Sequence, residues 1–480
     1  MPISLSALFS ILITSAVLVV CIYIVLEKRQ PTSTLAWLFA VLLVPVGGIL
    51  LYLVLGRQRM VRRRMHKAHL RKKCQQAFKH YIEHSPARRI AIHAMFLQYE
   101  PMLRLALHGK VDLSVTLGNR LELLCDGTQT YGAIFEAIQN ARQTIHVLFY
   151  IIQPDSVGNR LKLLLMQKAR EGVTVRLIYD DFGSIRLRRA WVSELRAAGV
   201  QIGVFMPMMV PFAGFRMRWS FRNHRKIVVI DDSIGFTGGL NIGEEYEGKN
   251  PAIGRWRDTF VRIEGPAVLD LNIVFCEDWL FATDELIEPE LVPPLMDDGA
   301  IVQIVSSGPD REWEDILIHY FVAITSAKHT CYITTPYFVP VMSIRTALIS
   351  AAMRGVDVRL LLPGYNDSKI LALASHSYYD ELIRAGIRIY EFQDGFLHAK
   401  TICIDAEYGS VGSANMDPRS LRLSFEINAF IYQTAFARQL HNMFLKDLEH
   451  TCEITLNDLI QKRLPRRLAE SVVRLASPLL

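Results

Sequence analysis

The chain has 480 residues, of which 51% are hydrophobic and 21% are charged. This length allows two or three domains with substantial cores, and this composition excludes a largely disordered chain or a coiled coil. The formal net charge is +7, from 54 Lys and Arg against 47 Asp and Glu, which would suit a protein that binds nucleic acid or acidic lipid if it were spread evenly.

The first 56 residues predict a transmembrane hairpin. Residues 3–26 are 24 residues without a charge, and a helix of about 36 Å crosses a bilayer. A second apolar run covers residues 35–56, and Pro45, Gly47 and Gly48 within it indicate a kink that a spanning helix tolerates. A cleaved signal peptide is disfavoured, because a basic n-region is missing and a second span follows.

A basic segment follows the second span. Residues 57–73 hold nine Lys or Arg and no acid. Because Lys and Arg near a span stay in the cytoplasm, the N-terminus and everything after Arg57 are expected on the cytoplasmic face of a multi-pass protein. The same residues could also gather anionic lipid head groups. Residues 1–56 carry +1, so the remaining 407 residues carry only −3, and the large domain is not basic.

The cysteines do not predict a disulfide framework or a zinc site. Their number is odd, no two form a C-x-x-C pair, and reduced thiols in a reducing compartment are expected. The seven are Cys21, Cys74, Cys125, Cys276, Cys331, Cys403 and Cys452.

An internal repeat fills the rest of the chain. Similar segments recur in the same order: 140–152 with 326–338, 171–180 with 354–363, 195–205 with 383–392, and 224–231 with 398–405. Each half alternates helices with strands. The first predicted helix covers 134–141 in the first half and 316–327 in the second, and the third ends at Gly199 or Gly386. The predicted fold class is therefore α/β: two halves, each a mixed sheet flanked by helices, related by a pseudo-two-fold axis. We expect a helical connector over 57–118, domains over 119–290 and 297–480, and a linker within 284–300.

Each half carries the same chemical motif. His224, Lys226 and Asp231 recur as His398, Lys400 and Asp405, and an apolar β-branched run lies between the Lys and the Asp. Alternation along a strand places His and Lys on one face. Two His and two Lys at a repeat interface suit phosphoryl-type transfer: the lysines neutralise non-bridging oxygens, one His attacks phosphorus, and the other acts as acid and then base. This chemistry requires no metal or other cofactor.

Two further sets of residues are expected to support the motif. Each strand leads to a small-residue turn, with Gly239 and Asn241 in the first half and Ser413 and Asn415 in the second; its backbone N–H groups and amide side chain could hold an anion. Asp258 and Glu426 stand in strand-like contexts downstream, and each could orient an imidazole or form an ordinary salt bridge. We expect Asp231 and Asp405 to brace loops rather than carry protons.

The duplicated H-x-K-x4-D motif with G-[GS]-x-N resembles the phospholipase D superfamily. The hairpin together with TTPYFVP, GSANMDPRSLRLSFEI and the C-terminal ASPLL is similar to bacterial cardiolipin synthases of that type, over nearly the whole chain. The resemblance implies transfer of a phosphatidyl group between two phosphatidylglycerol molecules, giving cardiolipin and glycerol through a phosphatidyl-histidine, in the bacterial inner membrane. Gly239 stands where the second half has Ser413, which puts that hydroxyl in doubt as an obligatory group.

Three alternatives remain beside the synthase. A membrane-anchored phospholipase D would use the same residues with water as acceptor. A nucleic-acid phosphodiesterase is disfavoured by the −3 charge of the large domain, and a scaffold with a dead site is disfavoured by two intact motifs. Which His attacks, which alcohol accepts and which oligomer forms stay open, with a weak preference for His224 as nucleophile because its half carries an insertion.

Two segments have two interpretations each. Residues 206–221 are an apolar and aromatic insertion before the first motif, suited to a lipid interface or to packing between the repeats. Residues 459–480 are basic and apolar-periodic, and they could lie on a membrane or pack as a terminal helix.

Overall fold

The computed structural model describes residues 5–26, 31–52, 69–74, 76–77, 99, 101–102, 104–105, 115–207, 221–249, 254–288, 293–297 and 299–475. The chain divides into two compact units, one of residues 1–63 with 212–219 and one of residues 64–211 with 220–480. Most of the inserted segment 206–221, most of the basic segment and much of the predicted connector lie outside the described residues.

The described residues of the N-terminal unit form three apolar helices: α1 (Leu5–Leu26), α2 (Pro31–Leu43) and α3 (Pro45–Leu51). Within it, Leu8–Leu26 is long and apolar enough to cross a membrane. The second run begins earlier than predicted, at Pro31, and is broken into two shorter helices at Val44. Pro45 explains the break, because proline disfavours the helical conformation of the preceding residue and has no N–H to donate.

The described part of the large unit contains a 15-stranded mixed sheet and a separate two-stranded pair. Its first half contributes β1 (Thr116–Leu124), β2 (Thr144–Phe149), β3 (Thr174–Asp180), β4 (Gln201–Phe205), β5 (Ile227–Ile230), β6 (Ile234–Gly238), β7 (Trp256–Arg257) and β8 (Phe260–Glu264). The second half contributes β9 (Ala300–Ser307), β10 (Thr330–Thr334), β11 (Asp357–Pro363), β12 (Arg388–Phe392), β13 (Phe396–Leu397), β14 (Thr401–Ile404), β15 (Tyr408–Gly412), β16 (Glu426–Tyr432) and β17 (Thr451–Ile454). β7 and β13 form a separate parallel pair.

Strand order repeats between the halves. From the antiparallel β1–β9 junction the order runs β1-β8-β6-β5-β2-β3-β4 on one side and β9-β16-β15-β14-β10-β11-β12-β17 on the other. Seven strands of each half follow the same order, and the second half adds β17 beside β12. The parallel part of each half is the run of three strands that follows its first long helix.

Helices connect and cover these strands. The first half has α4 (Gly127–Asn140), α5 (Ser156–Arg170), α6 (Arg189–Ala197) and α7 (Ala267–Thr283). The second has α8 (Asp315–Ser326), α9 (Met342–Met353), α10 (Lys369–His376), α11 (Tyr379–Arg384), α12 (Pro418–Arg422), α13 (Thr434–Leu448), α14 (Leu456–Ile460) and α15 (Leu464–Leu475). Two separate apolar cores follow, one around β2 and β3 and one around β10 and β11. The duplicated α/β organisation is as the repeat predicts.

The structure differs from the prediction in two places. β1 begins at Thr116, inside the stretch expected to be a helical connector, because it pairs on both sides, with β8 and β9. The third helix of the second half is divided into α10 and α11 by a turn at Ser377 and Tyr378.

Candidate active site

The two histidines lie just before β5 and β14, in extended segments that pair with the opposite half. The backbone N–H of His224 donates to the carbonyl of Phe425 at 2.9 Å, and that of His398 donates to the carbonyl of Arg257 at 2.7 Å. Phe425 and Arg257 immediately precede Glu426 and Asp258. Each histidine is therefore placed beside the acid of the other half.

The side chains complete this exchange. Nδ1 of His224 lies 3.0 Å from Oε1 of Glu426, and Nδ1 of His398 lies 2.7 Å from Oδ2 of Asp258. Both carboxylates are fully buried. With Nδ1 engaged on each ring, Nε2 is the atom left for chemistry. The sequence singles out both acids as candidates but does not show that they cross between the halves.

The two lysines are buried beside their histidines. Nζ of Lys226 donates to the carbonyl of His224 at 2.8 Å, and Nζ of Lys400 makes the equivalent bond to His398. Burial lowers the pKa of Lys226. Burial, with a contribution from the charge of Lys226, lowers the pKa of Lys400 to about 7 against the opposing effect of Asp258. The charge of Lys226 thus affects the pKa of Lys400, as expected if the two halves share one site.

The same burial affects His398 and its acid. Burial, followed by the charge of Lys400, lowers the pKa of His398 to about 4, although Asp258 opposes the shift. Burial would raise the pKa of Asp258, but the charges of Lys400 and His398 outweigh it and hold the pKa below its usual range. In the free protein at pH 7 the imidazole of His398 is therefore neutral, and the carboxylate of Asp258 is ionised.

One difference between the two turns, Gly239 against Ser413, is explained by the acid next to each residue. Oγ of Ser413 donates to Oε2 of Glu426 at 2.5 Å and accepts from the N–H of Ile427 at 3.0 Å. In the first half a Cβ at Gly239 would lie 2.1 Å from Oδ1 of Asp258. Asp258 instead takes a hydrogen bond from the N–H of Thr259 at 2.7 Å. A serine supports the glutamate, and a glycine makes room for the aspartate.

The two asparagines are buried within their own halves. Oδ1 of Asn241 accepts from the N–H of Ile151 at 3.2 Å, and its Nδ2 donates to the hydroxyl of Tyr246 at 3.3 Å. Nδ2 of Asn415 donates to Oγ of Ser420 at 3.2 Å. These contacts hold the chain around the turns, so direct anion binding by the amides remains a prediction.

The motif aspartates lie at the far end of β5 and β14 from the lysines. Asp231 accepts hydrogen bonds of 2.7–2.9 Å from the N–H groups of Arg142, Gln143 and Thr144. Asp405 accepts three equivalent bonds of 2.7–2.9 Å from residues 328–330. Both have positive φ, of 50° and 52°. Their spacing groups them with the His and Lys of the motif, but they accept hydrogen bonds from backbone N–H groups and so stabilise the adjoining loops.

Several residues around the histidines carry no signal in the sequence. The rings of Tyr150 and Trp256 lie 4.3 Å from His224 and 5.3 Å from His398. Behind the first motif, Arg225 pairs with Asp278 at 2.9 Å, and both are buried. Next to Asp258, Arg257 pairs with Asp447 at 2.8 Å. These buried partners come from the helices that follow β8 and β16, so only the fold brings them together. Among the described residues, no group of three or more His, Cys, Asp or Glu could hold a metal ion.

Comparisons with known proteins show the family of this chain. Residues 134–263 and 320–448 each match the family model described as cardiolipin synthase, phospholipase-D-like domain, and residues 12–57 match the phospholipase D-nuclease N-terminal model. The cardiolipin synthase of Geobacillus kaustophilus is 44% identical over 99% of this chain and 94% of its own. Cardiolipin synthase 2 of Bacillus anthracis is 41% identical over 97% and 90%.

Among solved structures, phosphatidylserine synthase from Haemophilus influenzae matches with a TM-score of 0.58 and 16% identity, over 75% of this chain and 95% of its own. At this identity the likeness shows the fold alone. The two matched domains and the near full-length relatives place this chain in the cardiolipin synthase family of phospholipase-D-like proteins.

Proposed function

We propose that this protein transfers a phosphatidyl group from one phosphatidylglycerol molecule to another, releasing glycerol and forming cardiolipin. One observation carries the mechanism: each imidazole is held at Nδ1 by a buried carboxylate of the opposite half. Two imidazoles with Nε2 available, flanked by Lys226 and Lys400, supply a nucleophile, an acid–base group and charge for a phosphodiester. Family membership supports this substrate class.

In the first step, Nε2 of His224 attacks phosphorus and the bond to the glycerol oxygen breaks. His398, as an imidazolium, gives its proton to that oxygen, so glycerol leaves and a phosphatidyl-histidine remains. In the second step, neutral His398 takes the proton of the second phosphatidylglycerol's hydroxyl. The resulting alkoxide attacks phosphorus, the P–N bond breaks and cardiolipin leaves.

The two lysines and two acids act without exchanging protons. The ammonium groups of Lys226 and Lys400 balance the negative charge on the non-bridging oxygens. Glu426 and Asp258 keep each ring in the tautomer with hydrogen on Nδ1 and stabilise its protonated form. Since the pKa of His398 is about 4 in the free protein, the anionic phosphodiester must raise it for His398 to serve as the first acid.

The contacts of the two histidines are nearly equivalent, so the assignment of attack to His224 rests on the insertion that precedes its motif. Acid quenching followed by peptide mass spectrometry locates the phosphatidyl-histidine. A label on His224 supports the assignment, and a label on His398 reverses the two roles while leaving the two-histidine mechanism in place.

The reaction is tested with purified protein and labelled phosphatidylglycerol in detergent. Cardiolipin with an equal amount of glycerol supports the synthase, whereas phosphatidic acid alone supports the alternative, a phospholipase D. Adding phosphatidylethanolamine as a competing acceptor tests the choice of alcohol. His224→Ala and His398→Ala should each abolish turnover, and near-full activity in either variant overturns the mechanism.

The membrane arrangement is part of the same proposal. Two spans, over residues 3–26 and 35–56, would form a hairpin with both large halves in the cytoplasm. The length of α1 and the nine positive charges of residues 57–73 support this arrangement. Reporter fusions after residues 29 and 73 test it, since the topology requires opposite sides of the membrane for these two positions.

The domain boundaries expected from the sequence are 57–118, 119–290 and 297–480, and we move the first to 115/116 because β1 begins at Thr116. One apolar core in each half and the matching strand orders support two domains about a pseudo-two-fold axis. Limited proteolysis within 284–300 should leave two stable fragments that remain associated, because β1 pairs with β9.

A further inference from the structure

The C-terminal helix α15 is attached to the large unit by its charged face. Glu470 is only 7% exposed, its Oε1 lies 3.8 Å from Nδ1 of His376 on α10, and Arg466 lies 3.2 Å from the same Nδ1. Arg474 donates to Glu381 at 3.0 Å. These contacts, with Val473 packed on the core of the second half, hold the helix in one orientation.

The opposite face of α15 is apolar and exposed. Leu464, Leu468, Val472 and Leu475 are 76%, 63%, 57% and 83% exposed. Their spacing of four, four and three residues places them in one stripe. A helix in a soluble protein normally buries such a stripe and exposes its charges. Here Glu470 is buried and the leucines are exposed, so the stripe is a surface that meets something apolar.

The charges beside the stripe favour an anionic lipid surface as the partner. Residues 462–475 hold five Lys or Arg and one Glu, and Arg463 and Arg467 are exposed beside the leucines. An apolar stripe flanked by basic residues is the pattern of a helix that lies in a bilayer interface. The apolar helix Leu8–Leu26 would also tether the chain to a bilayer and raise the effective concentration of lipid near α15.

The position of α15 relates this surface to the candidate site. α15 contacts α10, and α10 follows a loop in which the ring of Tyr365 lies 6.4 Å from Phe396. Phe396 in turn lies 5.8 Å from His398. α10, the loop before it and Phe396 therefore connect α15 to His398 through successive contacts.

We propose that the stripe of Leu464, Leu468, Val472 and Leu475 inserts into the interface of an anionic phospholipid bilayer, with Arg463 and Arg467 at the head groups. A second copy of the chain is the competing occupant. The proposal concerns binding and stands whether or not the reaction is the one proposed above.

Depth-dependent quenching tests insertion directly in the full-length protein. A fluorophore is attached to Leu468→Cys in a Cys452→Ser background, in vesicles of phosphatidylglycerol and phosphatidylcholine with nitroxide-labelled lipid. The control is Leu163→Cys on α5, whose side chain is similarly exposed, at 63%. Stronger quenching at position 468 supports the proposal. Equal quenching at the two positions overturns it, as does cross-linking between two copies through position 468 without quenching.

Activity gives a second measurement. Leu468→Glu with Val472→Glu should lower turnover on vesicles about tenfold, because two apolar side chains leave the interface. Turnover on a short-chain phosphatidylglycerol below its micelle concentration should not change, which also shows that the variant is folded. Leu163→Glu is the matched control and should leave both activities unchanged. Equal loss on both substrates, or no loss on vesicles, contradicts the proposal.

Discussion

Glu426 lies 3.0 Å from Nδ1 of His224, although the two residues are 202 positions apart and belong to different halves. Asp258 stands in the same relation to His398, at 2.7 Å and 140 positions. Neither half therefore holds a complete histidine–carboxylate pair by itself. Each half supplies the acid that contacts the other's histidine.

This exchange predicts the effect of neutralising either acid. Glu426→Gln and Asp258→Asn should each lower kcat about 10- to 100-fold, because an amide orients the ring but does not stabilise its protonated form. Steady-state turnover in detergent measures the change. Glu391→Gln is a matched control, since Glu391 makes a similar contact with His376 at 2.9 Å outside the site. If that control lost as much activity, the effect would not be specific to the crossed pairs.

Burial lowers the pKa of Lys400 to about 7, which predicts that activity falls on the alkaline side, or alkaline limb, of the pH–activity profile. The ammonium is present below that pH and is lost as the pH rises through it, so kcat/KM should fall above about pH 7. A bound phosphodiester favours the ammonium, so the limb in kcat should lie at higher pH. Lys400→Arg should remove the limb, because guanidinium stays protonated.

The control for that measurement is Lys162→Arg, because Lys162 pairs with Glu194 on the surface of the first half. Its pH profile should match that of the unaltered protein. An alkaline limb that persists unchanged in Lys400→Arg would assign the titration to another group.

The exchange of Gly239 for Ser413 between the two turns predicts unequal effects of swapping these two residues. Ser413→Gly removes the hydrogen bond to Glu426 and should lower kcat about tenfold. Gly239→Ser should be far more damaging, because its Cβ would lie 2.1 Å from the carboxylate that holds His398. Parallel measurements of kcat and melting temperature separate the two effects. Equal losses from both exchanges would contradict the view that each turn is matched to its acid.

The sequence predicts the repeat, the fold class and the residues of the site, because each rests on a local pattern that occurs twice. It does not show which acid serves which histidine, since spacing along the chain says nothing about pairing between halves. It also leaves open which face of α15 is buried. Periodicity finds the leucine stripe, but only the burial of Glu470 and the contacts with His376 and Glu381 show which side faces inward.

The motif aspartates give a final prediction, which separates stability from chemistry. Asp231 and Asp405 each accept three backbone hydrogen bonds and lie at the opposite end of the strand from Lys226 and Lys400. Asp231→Ala leaves three N–H groups without their acceptor and should cost about 2–3 kcal/mol of unfolding free energy. Turnover per folded molecule should stay within a few-fold of the unaltered protein. Thermal unfolding and titration of active sites measure the two quantities separately. A variant with a normal melting temperature and no turnover would place Asp231 in the chemistry, because loss of a purely structural contact must lower stability.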